Sequence, residues 1–308
     1  MKKTSKTIVF FGNERLATGV STTTPIIRRL VKEGFVVAAV IVNNENNKSR
    51  KPRELEIKTF ATLHTIPVLS PKKITDVAEI LQNLDADVGV LAAYGKIVPQ
   101  KIIDIFPTGI VNIHPSLLPL HRGPTPIESV ILEGAASTGV SLMKLAKEMD
   151  AGPIYAHAQH PLTGTETKQE LADSLAEIGS VMLADALPGI LAGDIVAMPQ
   201  LHSTSTYDSL IEKNDGILDF TKPAAQLERE IRGYAGWPGS RTILAGKDVV
   251  ITKAHVGMGS RLVGSVFIHQ KQLCIGTVKN ILIVDTLKPF GKANMTAQAF
   301  LNGHSDKF

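Results

Sequence analysis

The chain has 308 residues, is 44% hydrophobic and 20% charged, and carries a formal net charge of +4. That balance excludes a disordered or fibrous chain, and the length exceeds what one core usually serves, so two domains are expected. A single cysteine, Cys274, excludes an internal disulfide and a thiolate metal cluster, and it fits a reducing compartment.

The N-terminus MKKTSK is basic, but the apolar stretch after it covers only 8–11, too short for a signal-peptide core. The longest apolar run, 36–42, is far short of a membrane span, and a cytoplasmic protein is expected. Charge is unevenly spread: residues 209–308 hold 13 Lys and Arg against 8 Asp and Glu. Such an excess is either a solvated surface or a face for a polyanion.

Residues 8–12 form an apolar run ending in Gly12, the pattern of a buried strand. Over 24–34, Ile26, Ile27, Leu30 and Val31 recur at helical spacing and Gly34 stops the helix. Residues 36–42 read as a β-branched buried strand. Helices are expected over 53–64 and 75–84, a third strand over 87–93, a short helix over 101–106 and a fourth strand over 109–113. Strands that alternate with helices and are apolar on both faces mean a mostly parallel, doubly covered sheet, a Rossmann-like α/β domain. A helix over 126–134, a hairpin-like strand pair over 139–145 and 154–162, and a long helix over 166–191 follow. Turn residues dominate 198–239, which reads as linker and entry to a second domain. Short strands at 242–245, 249–254, 263–269, 273–277 and 281–287, joined by Gly-containing turns, predict a small OB-like β-barrel. The expected division is 1–197, 198–239 and 240–308.

One stretch, VNIHPSLLPLHRGPTP over 111–126, places Asn112 and His114 at the end of an apolar strand and then stops the strand with Pro115. Side chains alternate along a strand, so Asn112 and His114 share a face while Ile113 points to the other. Ligands of open parallel sheets bind outside the carboxyl ends of the strands, so both polar groups project into the crevice. The prolines and Gly123 that follow make a stiff loop able to present backbone groups. A lone strand-end His is more often a hydrogen-bonded structural residue. A second stretch, TGVSLMKLAKEMDAGP over 138–153, sets Asp150 at a strand-to-turn corner, where an Asx-turn is the plain alternative. An amide, an imidazole and a carboxylate together suit acyl transfer between nitrogens: the first two hold a developing oxyanion, the third orients the His or relays a proton. The pair His157 and His160 lacks a third ligand, so no metal is expected. No G-x-G-x-x-G follows a strand and no P-loop is present.

The strings VNIHPSLLPLHRG and TGVSLMKLAKEMDAGPI, with LAAYGKIVP over 91–99, resemble the signature of the folate-dependent formyltransferases. The resemblance implies that Asn112 hydrogen-bonds the formyl oxygen, that His114 stabilises the oxyanion or moves a proton, and that Asp150 orients His114 and helps deprotonate the attacking amine. It implies a site for 10-formyltetrahydrofolate lined by Ser116, Leu117, Leu118 and Pro119. The pterin ring would be read by backbone groups of the segment holding Ala93, Tyr94 and Gly95. The continuation DGILDFTKPAAQLEREIRGYAGWPGSRT over 215–242 is similar to the family members that formylate methionyl initiator tRNA. A monomer with a tRNA-binding C-terminal domain is then expected. Two departures stand out. Gly12-Asn13-Glu14-Arg15-Leu16 replaces the usual Gly-Thr-Pro-acid-Phe. The loop NNENNKSRKPRE over 43–54 lacks the family's glycines but keeps charge in Lys48, Arg50, Lys51 and Arg53, implied to touch tRNA phosphates. The alternatives are the same chemistry on an amino-sugar nucleotide, or a non-catalytic RNA- or folate-binding protein.

Overall fold

The computed structural model describes residues 6–43, 54–304 and 307. In chain order its first elements are β1 (Thr7–Gly12), α1 (Pro25–Lys32), β2 (Val36–Ile41), α2 (Glu56–Leu63), β3 (Val68–Leu69), α3 (Ala78–Asn83), β4 (Val88–Ala92), α4 (Gln100–Ile103) and β5 (Ile110–His114). Next come α5 (Pro126–Glu133), β6 (Ser137–Lys144), β7 (Ile154–Pro161) and α6 (Lys168–Ala192). The seven strands form one sheet in the order β3-β2-β1-β4-β5-β6-β7. Strands β1 to β5 run parallel. Strand β6 is antiparallel to β5, and β7 to β6. The chain winds outward from β1 through β2 and β3, then resumes on the other side with β4. That reversal is the topological switch point where such sheets bind ligands.

Burial follows from cover on both faces: Ile8, Val9, Phe10 and Phe11 of β1 are fully buried, as are Ile110 and Val111 of β5. Helix α6 explains which way β5 faces. A Cβ on Gly179 of α6 would lie only 2.8 Å from Ile113 Cγ2. Ile113 therefore points at α6, and by strand alternation Asn112 and His114 point to the opposite face. Helix α6 is long and apolar enough to cross a membrane, but Leu171, Leu175, Leu183 and Leu187 on one of its faces are fully buried in the protein. The segment expected as one helix over 75–84 is a 3-10 turn, Ile74–Val77, followed by α3.

The chain divides into two compact units: Met1–Ile127, Ser137–Leu162 and Gln169–Ser209 in the first, Glu128–Ala136, Thr163–Lys168 and Leu210–Phe308 in the second. The second unit holds α7 (Ala224–Gly233), β8 (Ser240–Leu244), β9 (Lys247–Gly257), β10 (Val266–His269), β11 (Gln272–Gly276), β12 (Ile281–Pro289), β13 (Met295–Thr296) and α8 (Ala297–Asn302). Its antiparallel strands order as β10-β11-β12-β9-β8, with β13 on β12, in a curled half-barrel. Leu227 and Ile231 of α7 join Ile251, Leu273, Leu282, Leu287 and Phe300 in its core. The α/β fold followed by a small OB-like domain is as the sequence predicts.

Candidate active site

Asn112 and His114 sit at the carboxyl end of β5, opposite Met143 and Ser141 of β6, and are 6% and 5% exposed. The His114 ring has its Nε2 2.8 Å from the carbonyl oxygen of His121. A carbonyl only accepts, so Nε2 carries a proton and donates it. A neutral His114 therefore presents its bare Nδ1, 3.8 Å from Asp150 Oδ1. That distance is too long for a direct hydrogen bond but leaves the two acceptors facing one another, so that a proton on Nδ1 would point at the carboxylate.

Asp150 holds a left-handed backbone conformation, with φ of 49°. Its other carboxylate oxygen, Oδ2, accepts the Gly123 N–H at 2.9 Å. Gly123 is required there: its φ is 109°, and a Cβ would lie 2.5 Å from the Asp208 carbonyl oxygen. His121 and Gly123, on either side of Arg122, thus hold His114 and Asp150 respectively through their backbone. A parallel bridge pairs Arg122 with Tyr207, and the Asp208 N–H donates to the Arg122 carbonyl at 2.7 Å. Residues 206–209 run along this loop like a short strand.

The expected folate residues fall into two sets. Ser116 and Leu118 are buried inside the loop. The Ser116 hydroxyl donates to the Leu120 carbonyl at 2.7 Å, and the Leu118 N–H donates to Ser141 Oγ at 3.0 Å. They shape the loop from within, whereas Leu117 and Pro119 are half-buried on it. Around the end of β4, Ala93 and Gly95 have left-handed φ values of 52° and 71°. The Tyr94 ring is 4% exposed and packs edge-on against Phe11, and its burial raises the phenol pKa.

The divergent stretch Gly12 to Leu16 is built around Glu14. Its carboxylate is 1% exposed and accepts the Ile26 and Ile27 N–H groups, each at 2.9 Å, at the start of α1. Burial nonetheless pushes its pKa up to about 7, outweighing those bonds and the nearby Arg28 charge. Lys48, Arg50, Lys51 and Arg53 lie outside the described residues. His157 and His160 stand three apart on β7 and so point to opposite faces of it, with His157 Nδ1 2.9 Å from Ser141 Oγ.

Sequence reasoning missed Arg122, Gln200 and Asp208, the groups that hold the loop in place. Arg122 lay inside the stretch singled out, but its partners follow about 80 residues later in a turn-rich segment with no periodic signal.

The family model described as formyl transferase matches residues 8–187, and the one described as formyl transferase, C-terminal domain, matches 210–305. A protein named methionyl-tRNA formyltransferase from Roseiflexus castenholzii is 35% identical over 303 residues, covering 96% of this chain and 95% of that one. A second of that name, from Chloroflexus aurantiacus, is 36% identical over 289 residues, covering 91% and 93%. Among solved structures, an N-formyltransferase from Helicobacter canadensis, in complex with folinic acid and dTDP-3-aminofucose, superposes with a TM-score of 0.67 at 17% identity, covering 92% of this chain and 98% of that one. At that identity it bears on the fold alone.

Proposed function

The chain belongs to the formyl transferase family, and on that premise we propose that it moves the formyl group of 10-formyltetrahydrofolate to the α-amine of methionyl initiator tRNA. The observation that carries the chemistry is the convergence of Asn112, the bare Nδ1 of His114 and Asp150 at the carboxyl end of β5. In the reaction a bond forms between the amine nitrogen and the formyl carbon, the bond from that carbon to the folate nitrogen breaks, and one proton passes from amine to folate nitrogen. The Asn112 amide donates to the formyl oxygen, where negative charge develops. His114 Nδ1 and Asp150 take the proton from the amine and return it to the leaving nitrogen. Neither serine beside the site is free to act as a nucleophile: the Ser116 hydroxyl donates to the Leu120 carbonyl at 2.7 Å and the Ser141 hydroxyl to the Ser116 carbonyl at 2.6 Å, and both are buried.

The folate pterin is read by backbone at Ala93, Tyr94 and Gly95, and Leu117 and Pro119 complete the folate site. The left-handed backbone of Ala93 and Gly95 and the partial exposure of Leu117 and Pro119 support that assignment. Lys48, Arg50, Lys51 and Arg53 contact tRNA phosphates, an assignment that stands on sequence alone. The basic C-terminal unit contributes to the same polyanion, and the enzyme acts as a cytoplasmic monomer. Methionyl-tRNA is favoured over a sugar amine because relatives named for it reach 35–36% identity, against 17% for the N-formyltransferase of known structure.

Asp150→Asn tests the mechanism. It keeps the side chain's shape and removes the charge that faces His114. The kcat for formyl transfer is expected to fall by at least about 100-fold with folate binding unchanged, the range general acid–base catalysis supplies. Turnover at the unaltered rate would remove Asp150 from the chemistry.

A further inference from the structure

Arg122 is 1% exposed, and its guanidinium cannot shed its proton. A buried charge of that kind needs compensation, usually from a carboxylate. Here its described hydrogen-bond partners are an amide, a phenol and an imidazole. Nε and Nη2 donate to Gln200 Oε1 at 3.2 and 2.7 Å. Nη1 donates to Tyr207 Oη at 2.7 Å, and Nη2 lies 3.3 Å from His202 Nδ1.

Gln200 is itself 6% exposed, and its amide is fully used. Oε1 accepts the arginine fork, while Nε2 donates to the carbonyl oxygens of Asp150 and Gly152, each at 2.7 Å. The amide can sit only one way round, because the guanidinium can only donate and the carbonyls can only accept. A closed circuit results. Arg122 holds Gln200, Gln200 holds the Asp150 backbone, and the Asp150 carboxylate returns to the N–H of Gly123, the residue after Arg122.

We propose that Arg122 and Gln200 are positioning residues for Asp150, clamping its left-handed turn so that its carboxylate faces His114. This rests on the reading of Asp150 given above. It explains why a charged side chain is buried beside the site with neutral partners: the fork polarises the glutamine amide and strengthens its grip on the two carbonyls. It also gives residues 198–209 a role in the chemistry from a distance.

The test is Gln200→Glu. The new carboxylate keeps the side chain's length and gains an ion pair with Arg122, which offsets the acceptor it sets against the two carbonyls. It loses both N–H groups that hold Asp150 and Gly152. In steady-state formylation kcat should fall about 10- to 100-fold while KM for 10-formyltetrahydrofolate stays within about twofold. Gln200→Asn keeps the amide but is one methylene too short to span the fork and the carbonyls, and the same split is expected. A second readout needs no turnover: exchange of the Gly123 amide hydrogen, protected by the Asp150 carboxylate, should become about tenfold faster in either variant. An unaltered protein inactive on methionyl-tRNA would fault the functional reading, while amide exchange would still report on the clamp. A kcat within about twofold of the unaltered protein together with unchanged Gly123 exchange would overturn the proposal.

Discussion

His114 donates its Nε2 proton to the His121 carbonyl, and that one bond fixes what the ring can do. The neutral imidazole is basic only at Nδ1, the nitrogen that faces Asp150. Nitrogen NMR of the ring should therefore report the Nε2–H tautomer in the neutral state. The Nδ1–H form would mean that Nδ1 cannot serve as the base. Glu14 makes a second residue-scale prediction. Burial lifts its carboxyl from an ordinary 4.5 to about 7 in the folded protein. Between those values the folded chain binds a proton that the unfolded chain has released, so stability falls as pH rises across the window. The contribution is fully present below about pH 4.5 and is lost above about 7. Each pH unit inside the window removes about 1.4 kcal/mol at most. Urea melts at pH 5 and pH 8 should show this fall in the unaltered protein and not in Glu14→Gln. An identical pH dependence in both would mean that Glu14 is ionised like a surface carboxylate.

Among the elements, α6 and β5 meet at a contact that leaves no room for a methyl group. Alanine in place of Gly179 would gain about 0.5–1 kcal/mol of helix propensity. Its Cβ would also be driven to 2.8 Å from Ile113 Cγ2, an atom on a stiff β-branched side chain. Overpacking of that kind costs about 1–3 kcal/mol, so Gly179→Ala should lower the melting temperature and disturb Asn112 and His114 on either side. A higher melting temperature would show that the helix can yield without cost. The strands around this contact were legible in the sequence because β-branched runs ended at Gly or Pro. The turn-rich reading of 198–239 hid α7, whose apolar residues are sparse and whose buried Glu230 reads as a surface residue. Lys222 pairs with one oxygen of that carboxylate at 2.7 Å. Asn112 and His114 were legible because their apolar strand stops abruptly at Pro115, and Asp150 because it stands in the turn just before Ala151-Gly152-Pro153. The Arg122 and Gln200 clamp was not, since hydrogen bonding between segments 78 residues apart leaves no local pattern.

For the whole molecule the central question is which amine receives the formyl group. The α/β unit holds Asn112, His114 and Asp150, and positive charge collects in residues 209–308 and in the sequence over 43–54. Contacts with phosphate make affinity fall with salt, and replacing Lys48, Arg50, Lys51 and Arg53 by neutral residues should flatten that dependence by about one unit of slope per lost contact. The most direct measurement is formyl transfer from 10-formyltetrahydrofolate to methionyl initiator tRNA at low and moderate salt, with free methionine and an amino-sugar nucleotide as parallel acceptors. Rapid formylation of the tRNA that weakens with salt, with neither small acceptor modified at a comparable rate, is the predicted result. Efficient formylation of the sugar nucleotide with none of the tRNA would contradict the account.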